Sequence, residues 1–284
     1  MQKILVCLDT DPQASVFDSV VALDAGVDQL FRHSGVAPEQ VEALVHGAMF
    51  TRGPADLRNT AVFVGGSDVA AAEALLARTT ACFFGPMRVS VLLDAGGSNT
   101  TAAAAVIAAG RHVDLNGGAD AAVIGAGPVG LRAAQMLAGQ GVSVRLASRT
   151  LARANEACES LARVVDRDRL TPIGADETPA TELLAGAQVL IAAGPAGVEV
   201  LDEATRAAAD LRVAIDLNAV PPLGVGGIGV TDKGVGRGGQ VHYGAIGVGG
   251  TKMKIHKAAL CRLFESNDAV LDAAEVYAIG QSIE

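Results

Sequence analysis

Asp120-Ala-Ala-Val-Ile-Gly-Ala-Gly-Pro-Val-Gly-Leu-Arg-Ala-Ala134 is the stretch that decides the fold. Ala121 to Ile124 is a short apolar run that predicts a buried parallel strand. Gly125, Gly127 and Gly130 follow in G-x-G-x-x-G spacing, and Val129, Ala133, Met136 and Leu137 then repeat as a helix does. In such a unit the first glycine permits the tight turn and the second lets backbone approach a pyrophosphate, while the third lets helix pack against strand. A helix start offers free N–H groups and a positive dipole end to phosphate oxygens. Gly125, Gly127, Pro128, Val129 and Gly130 are therefore candidate cofactor contacts. The spacing alone is weak, because a glycine turn without a ligand would carry it too. The strand before it and the helix after it give it weight.

The next expected strand, Val142 to Ala147, selects the dinucleotide. NAD is usually held by an acid at this strand's end, about 20 residues beyond the first glycines. Here the sequence is Leu146-Ala-Ser148-Arg149-Thr150-Leu-Ala-Arg153, with a hydroxyl and two arginines and no acid. Guanidinium groups pair with phosphate oxygens, so Ser148, Arg149 and Arg153 point to NADP. The alternative is a solvated pair of helix-start arginines. Further on, strands are expected at Gln188–Ala192 and Arg212–Asp216. Their ends bring Ala193, Gly194 and Asn218 toward the cofactor, Asn218 with an amide for the nicotinamide side. Glycines crowd residues 223 to 250, as loops or as a wall beside the nicotinamide. Helices are expected from Lys252 to about Phe264 and from Asp272 to Ile279.

Toward the N-terminus, strands at Lys3–Leu8, Thr60–Val64 and Arg88–Leu93 alternate with helices at 15–25, 38–48 and 68–79. This alternation predicts a smaller parallel α/β domain. Ser98-Asn99-Thr100 opens an alanine-rich helix. One hydroxyl suffices for a cap, so the three together are candidate substrate contacts.

Composition removes several classes of function. The 284 residues suit one large or two modest domains. No apolar run approaches the roughly 18 residues of a membrane span, and the N-terminal run is too short for a signal peptide. Cys7, Cys82, Cys158 and Cys261 lack paired spacing and read as buried thiols of a reducing, cytoplasmic compartment. A net charge of −9 and the absence of tryptophan argue against nucleic-acid and anionic-membrane surfaces. The five histidines have no ligand spacing, so no metal is expected, and His256 reads as a helix-surface residue.

The chain resembles the bacterial NAD(P)-dependent methylene-tetrahydromethanopterin dehydrogenases of methylotrophs. The likeness is carried by Asp9-Thr-Asp, Ser15-Val-Phe-Asp18, Thr51-Arg-Gly, Phe63-Val-Gly-Gly and Phe83-Phe-Gly-Pro, by Gly97-Ser-Asn-Thr-Thr-Ala-Ala-Ala and the phosphate-loop glycines, and by Pro221-Pro-Leu-Gly-Val-Gly-Gly-Ile, Thr231-Asp-Lys-Gly and Leu263-Phe-Glu-Ser. It implies a pterin-binding α/β domain over 1–97 completed by helices at 253–284, and a Rossmann-like NADP domain over 98–252. It also implies a cleft between them and a homo-oligomer, trimer or hexamer. The implied reaction is reversible hydride transfer from the pterin's one-carbon bridge to NADP, with methylene-tetrahydrofolate dehydrogenase as the alternative.

By the same resemblance Lys252 is the catalytic lysine facing the pterin, and Phe17 and Asp18 contact the ring. Read alone, Lys252 is a helix-start lysine, at an unfavourable dipole end for a cation. Related folate enzymes use Tyr-x-x-x-Lys for a cyclohydrolase step; Gly247 and Gln281 stand at that spacing after Tyr243 and Tyr277, so none is expected. Thr150 stands where strict NADP users carry lysine, which leaves NAD as a weaker cofactor. Two other classes compete. A shikimate-type dehydrogenase would need a lysine in the first domain, where Lys3 opens a strand. A non-catalytic NADPH sensor would have no use for Lys252.

Overall fold

The computed structural model describes every residue, Met1–Glu284. In chain order the elements are β1 (Ile4–Asp9), α1 (Val16–Asp24), β2 (Gln29–His33), α2 (Pro38–Met49), β3 (Thr60–Gly65), α3 (Val69–Ala81), β4 (Ser90–Leu93) and α4 (Ser98–Gly110). There follow β5 (Asp120–Ile124), α5 (Pro128–Gly139), β6 (Ser143–Ser148), α6 (Leu151–Leu161), β7 (Leu170–Gly174), α7 (Ala180–Leu183), β8 (Val189–Ala192), α8 (Glu203–Ala207) and β9 (Val213–Asp216). The chain ends with β10 (Lys233–Arg237), β11 (Gln240–Tyr243), α9 (Ala245–Arg262), β12 (Val270–Leu271) and α10 (Ala273–Ile283). No helix is long and apolar enough to cross a membrane.

Two compact units result, one of Met1–Thr100 with Met253–Glu284, the other of Thr101–Lys252. The first holds a five-stranded sheet in the order β12-β4-β3-β1-β2, parallel throughout. Its inner strands are apolar without alternation, as strands covered on both faces must be. Val6, Leu8, Val62 and Val64 pack with Val41, Val45 and Leu75 of α2 and α3. The second unit holds a seven-stranded sheet, β10-β11-β9-β8-β5-β6-β7, parallel except for β10. The chain enters at β5, moves outward to β7, then returns to β8 on the other side of β5. That reversal is the switch point where open α/β sheets bind ligands.

Several elements depart from expectation. β2, β7 and the β10–β11 hairpin are additional strands; β2 and β10 are edge strands with mostly exposed side chains, which blurs the alternation that marks a strand. α9 starts at Ala245, seven residues before Lys252. The glycines there answer close packing rather than flexibility. A Cβ on Gly244 would stand 2.1 Å from the Gly229 carbonyl oxygen, and one on Gly247 1.7 Å from that of Asp232. Lys252 is thus two turns inside a helix, and the dipole argument at a helix start does not apply to it. His256 is fully buried rather than on the surface. Cys261 is exposed, unlike the three buried thiols. Ser98, Asn99 and Thr100 lie inside α4 rather than ahead of it.

Candidate active site

Gly125 leaves β5 with a positive φ of 105°, conformational space open to glycine but costly to other residues. A Cβ there would lie 2.4 Å from the Ala193 carbonyl oxygen, so the end of β8 and the turn after β5 touch backbone to backbone. A Cβ on Gly130 would fall 1.8 Å from the Gly125 carbonyl oxygen, which is the close approach of helix to strand. Gly127 is the extended N-cap of α5, with no side chain capping the helix, and a Cβ on it would meet nothing within 4 Å. Pro128 takes the first helical position, where no N–H is needed. The start of α5 therefore offers uncapped N–H groups beside open space, a cradle that fits a dinucleotide's phosphates. Gly125, Gly127, Pro128, Val129, Gly130, Ala193 and Gly194 converge on it.

Ser148 closes β6 half-buried, and Arg149 and Arg153 are exposed at the start of α6. Thr150, between them, is the N-cap of α6, its hydroxyl accepting the Arg153 N–H at 3.4 Å. Asn218 is buried and committed to its own loop. Its amide donates to the Pro222 carbonyl at 3.1 Å, and its oxygen accepts from Val220 at 2.9 Å and from Gly197 at 3.4 Å. Beneath it the buried Asp216 carboxylate accepts the N–H groups of Asn218 and Val225, each at 3.0 Å. Burial pushes that carboxyl above its usual range and the N–H donors pull it back. Sequence reasoning missed Asp216, although an acid closing a strand before a glycine-rich loop is a signal for such a tie.

In the other unit α1 starts at Ser15, whose hydroxyl accepts the Asp18 N–H at 3.1 Å. Asp18 thus stands in the first turn, where the helix dipole favours a carboxylate. Phe17 beside it is half-exposed. His256, expected on a helix surface, instead joins this group. Its Nε2 is 3.9 Å from Asp18 Oδ1, its ring stacks on buried Phe63 with centroids 6.0 Å apart, and Phe17 is 6.3 Å away. The buried Cys7 thiol belongs to the same group. It is pushed up to about 12 by burial and next by Asp18, against a smaller opposite pull from Arg32.

Asn99 and Thr100 turn inward. Asn99 donates to the Leu93 carbonyl at 2.7 Å and to Asp272 Oδ1 at 3.0 Å. Thr100 donates its hydroxyl to Asp94 Oδ2 at 2.7 Å. Asp94 Oδ1 also accepts the N–H groups of Asn99 and Thr100 at 3.0 and 3.1 Å, so this acid caps α4. Ser98 is buried with them. Lys252 lies half-buried on α9, one turn before His256.

Residues 16–96 match the family described as methylene-tetrahydromethanopterin dehydrogenase, N-terminal. Residues 118–163, the strand-turn-helix unit around Gly125, match one described as FAD binding domain. A Methylorubrum extorquens protein named bifunctional protein MdtA is 42% identical, with 99% of each chain covered. A second protein of that bacterium, named NAD(P)-dependent methylenetetrahydromethanopterin dehydrogenase, is 31% identical with the same coverage. Among solved structures, the shikimate dehydrogenase of Mycobacterium tuberculosis is similar at 17% identity and a TM-score of 0.50, over 99% of this chain and 100% of that one. That is a likeness of fold alone.

Proposed function

The chain belongs to the methylene-tetrahydromethanopterin dehydrogenase family, and we propose that it removes a hydride from the one-carbon bridge of methylene-tetrahydromethanopterin, leaving the methenyl cation, in one-carbon metabolism. The observation that carries this is the uncapped start of α5 in a chain related to these dehydrogenases along its whole length. NADP is the cofactor, and it supplies nicotinamide C4 as the hydride acceptor. The two nitrogens flanking the bridge stabilise the product cation, so no proton is abstracted. The protein's task is alignment and exclusion of water.

Each group has a part in that task. The α5 N–H groups hold the pyrophosphate. Ser148, Arg149 and Arg153 hold the 2′-phosphate, and with Thr150 in place of a lysine NAD serves more weakly. Asp18 accepts N–H groups of the pterin ring, Phe17 lies against the ring, and Lys252 is the catalytic lysine beside it. The absence of a Tyr-x-x-x-Lys pair leaves the protein without cyclohydrolase activity. We place it in the cytoplasm as a homo-oligomer.

An anaerobic assay with methylene-tetrahydromethanopterin, following reduction of NADP and then of NAD, tests this. Fast NADP reduction is expected, with slower reduction of NAD. Arg149→Ala should raise KM for NADP by about 10- to 100-fold while leaving NAD unchanged, the weight of a charge-assisted phosphate contact. Tight NADPH binding without turnover of the pterin would overturn the proposal.

A further inference from the structure

Beyond the ring contacts, the first unit displays a cation that nothing so far employs. β2 pairs only with β1, so it is the free edge of the five-stranded sheet. Arg32 is its fourth residue and pairs with Cys7, which in turn pairs with Phe63 on β3. Opposite residues of neighbouring strands point to one face. Arg32, Cys7 and Phe63 therefore form a row across that face, and with strands about 4.8 Å apart the row runs roughly 10 Å from Phe63 to the edge. At its inner end are Phe63, the His256 ring stacked on it, and Asp18. At its outer end is an exposed guanidinium.

The opposite face is used otherwise. Phe31 and His33, the neighbours of Arg32 in β2, line a cavity of about 460 Å³ together with Leu44 and Ala48 of α2. Arg32 thus points away from that cavity, toward the side of Asp18. The Cys7 thiol, between Phe63 and Arg32 in the row, feels the charges of both Asp18 and Arg32. Most other cations of the unit are held. Arg78, Lys254, Lys257 and Arg262 each pair with a carboxylate, and Arg52 donates to backbone carbonyls. The Arg32 guanidinium makes no hydrogen bond or ion pair within the chain.

We propose that Arg32 binds the anionic tail of the pterin substrate and so sets preference for coenzymes that carry one. The inference rests on the placement of the pterin ring at Phe17 and Asp18. A ring held there has its aryl substituent free to run along the row to the sheet edge, where a planar guanidinium can take a carboxylate or a phosphate in bidentate fashion. This contact forms equally in ground and transition states, so its loss raises KM and spares kcat.

The test is steady-state kinetics of wild type, Arg32→Met and Asp18→Asn. The substrates are methylene-tetrahydromethanopterin, methylene-tetrahydrofolate and a truncated methylene-tetrahydropterin ending at the N-aryl ring. Arg32→Met should raise KM for methylene-tetrahydromethanopterin by about tenfold, with kcat unchanged and KM for the truncated substrate unchanged. A parallel rise with the folate substrate identifies a carboxylate as the group held, and no rise with it identifies the phosphate. Asp18→Asn should raise KM for full and truncated substrates alike. If it alters neither, the ring placement fails. If it alters both while Arg32→Met alters none, or alters full and truncated equally, the tail proposal is overturned and the ring placement stands.

Discussion

Two strand-to-helix junctions of this chain begin alike and end differently. β4 and β5 are both buried, and both are followed within a few residues by two or more glycines and a helix. At β4 the first residue after the strand is Asp94, whose carboxylate takes the first N–H groups of α4 and the Thr100 hydroxyl. At β5 the first residue is Gly125, and α5 starts at Gly127 with no side chain over it. A helix start attracts anions wherever it lies. Whether it becomes a binding site depends on whether the chain supplies the anion itself. A third junction lies between these extremes: after β6, Thr150 caps α6 with a neutral hydroxyl and leaves the neighbouring arginines to solvent.

The sharpest way to break the comparison is to fill the open junction. Gly130→Ala puts a methyl group where the Gly125 carbonyl oxygen stands. Overpacking of this kind costs about 1–3 kcal/mol, and here it displaces the phosphate turn itself. NADPH titration by fluorescence should show loss of binding, and unaltered affinity would refute the assignment of the turn. Next in size is Asp94→Ala, which leaves buried N–H groups and a hydroxyl without their acceptor. A loss of about 3 kcal/mol in denaturant unfolding is expected, with NADPH affinity in the folded protein unchanged.

A third change converts one junction toward the other. Gly127→Asp meets no steric obstacle, since the residue is already extended with open space beside its Cα. The new carboxylate should cap α5, adding a few tenths of a kcal/mol of stability, and exclude the pyrophosphate, weakening NADPH by at least about tenfold. Stability and affinity moving together would contradict the comparison. The smallest effect belongs to Thr150→Ala, about 1 kcal/mol of stability for a lost cap. The preference for NADP over NAD should not change, and a shift in that ratio would give Thr150 a cofactor contact in addition to its cap.

What the sequence disclosed follows the same physics. The β5–α5 unit was legible because three glycines at fixed spacing each answer a local steric demand. The parallel strands were legible because strands covered on both faces are uniformly apolar. The sequence points to Ser98, Asn99 and Thr100 rather than Asp94, since capping signals are sought next to the helix and this acid reaches forward across a tight turn. The start of α9 was hidden because Gly244 and Gly247 serve contacts with a loop some fifteen residues away in sequence. His256 could have been found. It falls in the stripe of Ile255, Ala259, Leu260 and Leu263, all buried, but the flanking Lys254 and Lys257 suggested a wet face.

The strand order of the first unit also bears on how the protein is made. Its sheet is closed at one side by β12, and Asn99 and Ser90 bond to Asp272 and Ser266, so the unit is completed by residues synthesised after the whole of the second unit. The second unit is a single uninterrupted segment and can fold as soon as Lys252 emerges. At about 5–20 residues per second of translation, the first unit waits a few seconds more, with the β4 edge bare and Phe63 without the His256 ring that stacks on it. A stop codon soon after that of Lys252 would therefore spare the nucleotide fold and leave the other unit to the chaperones.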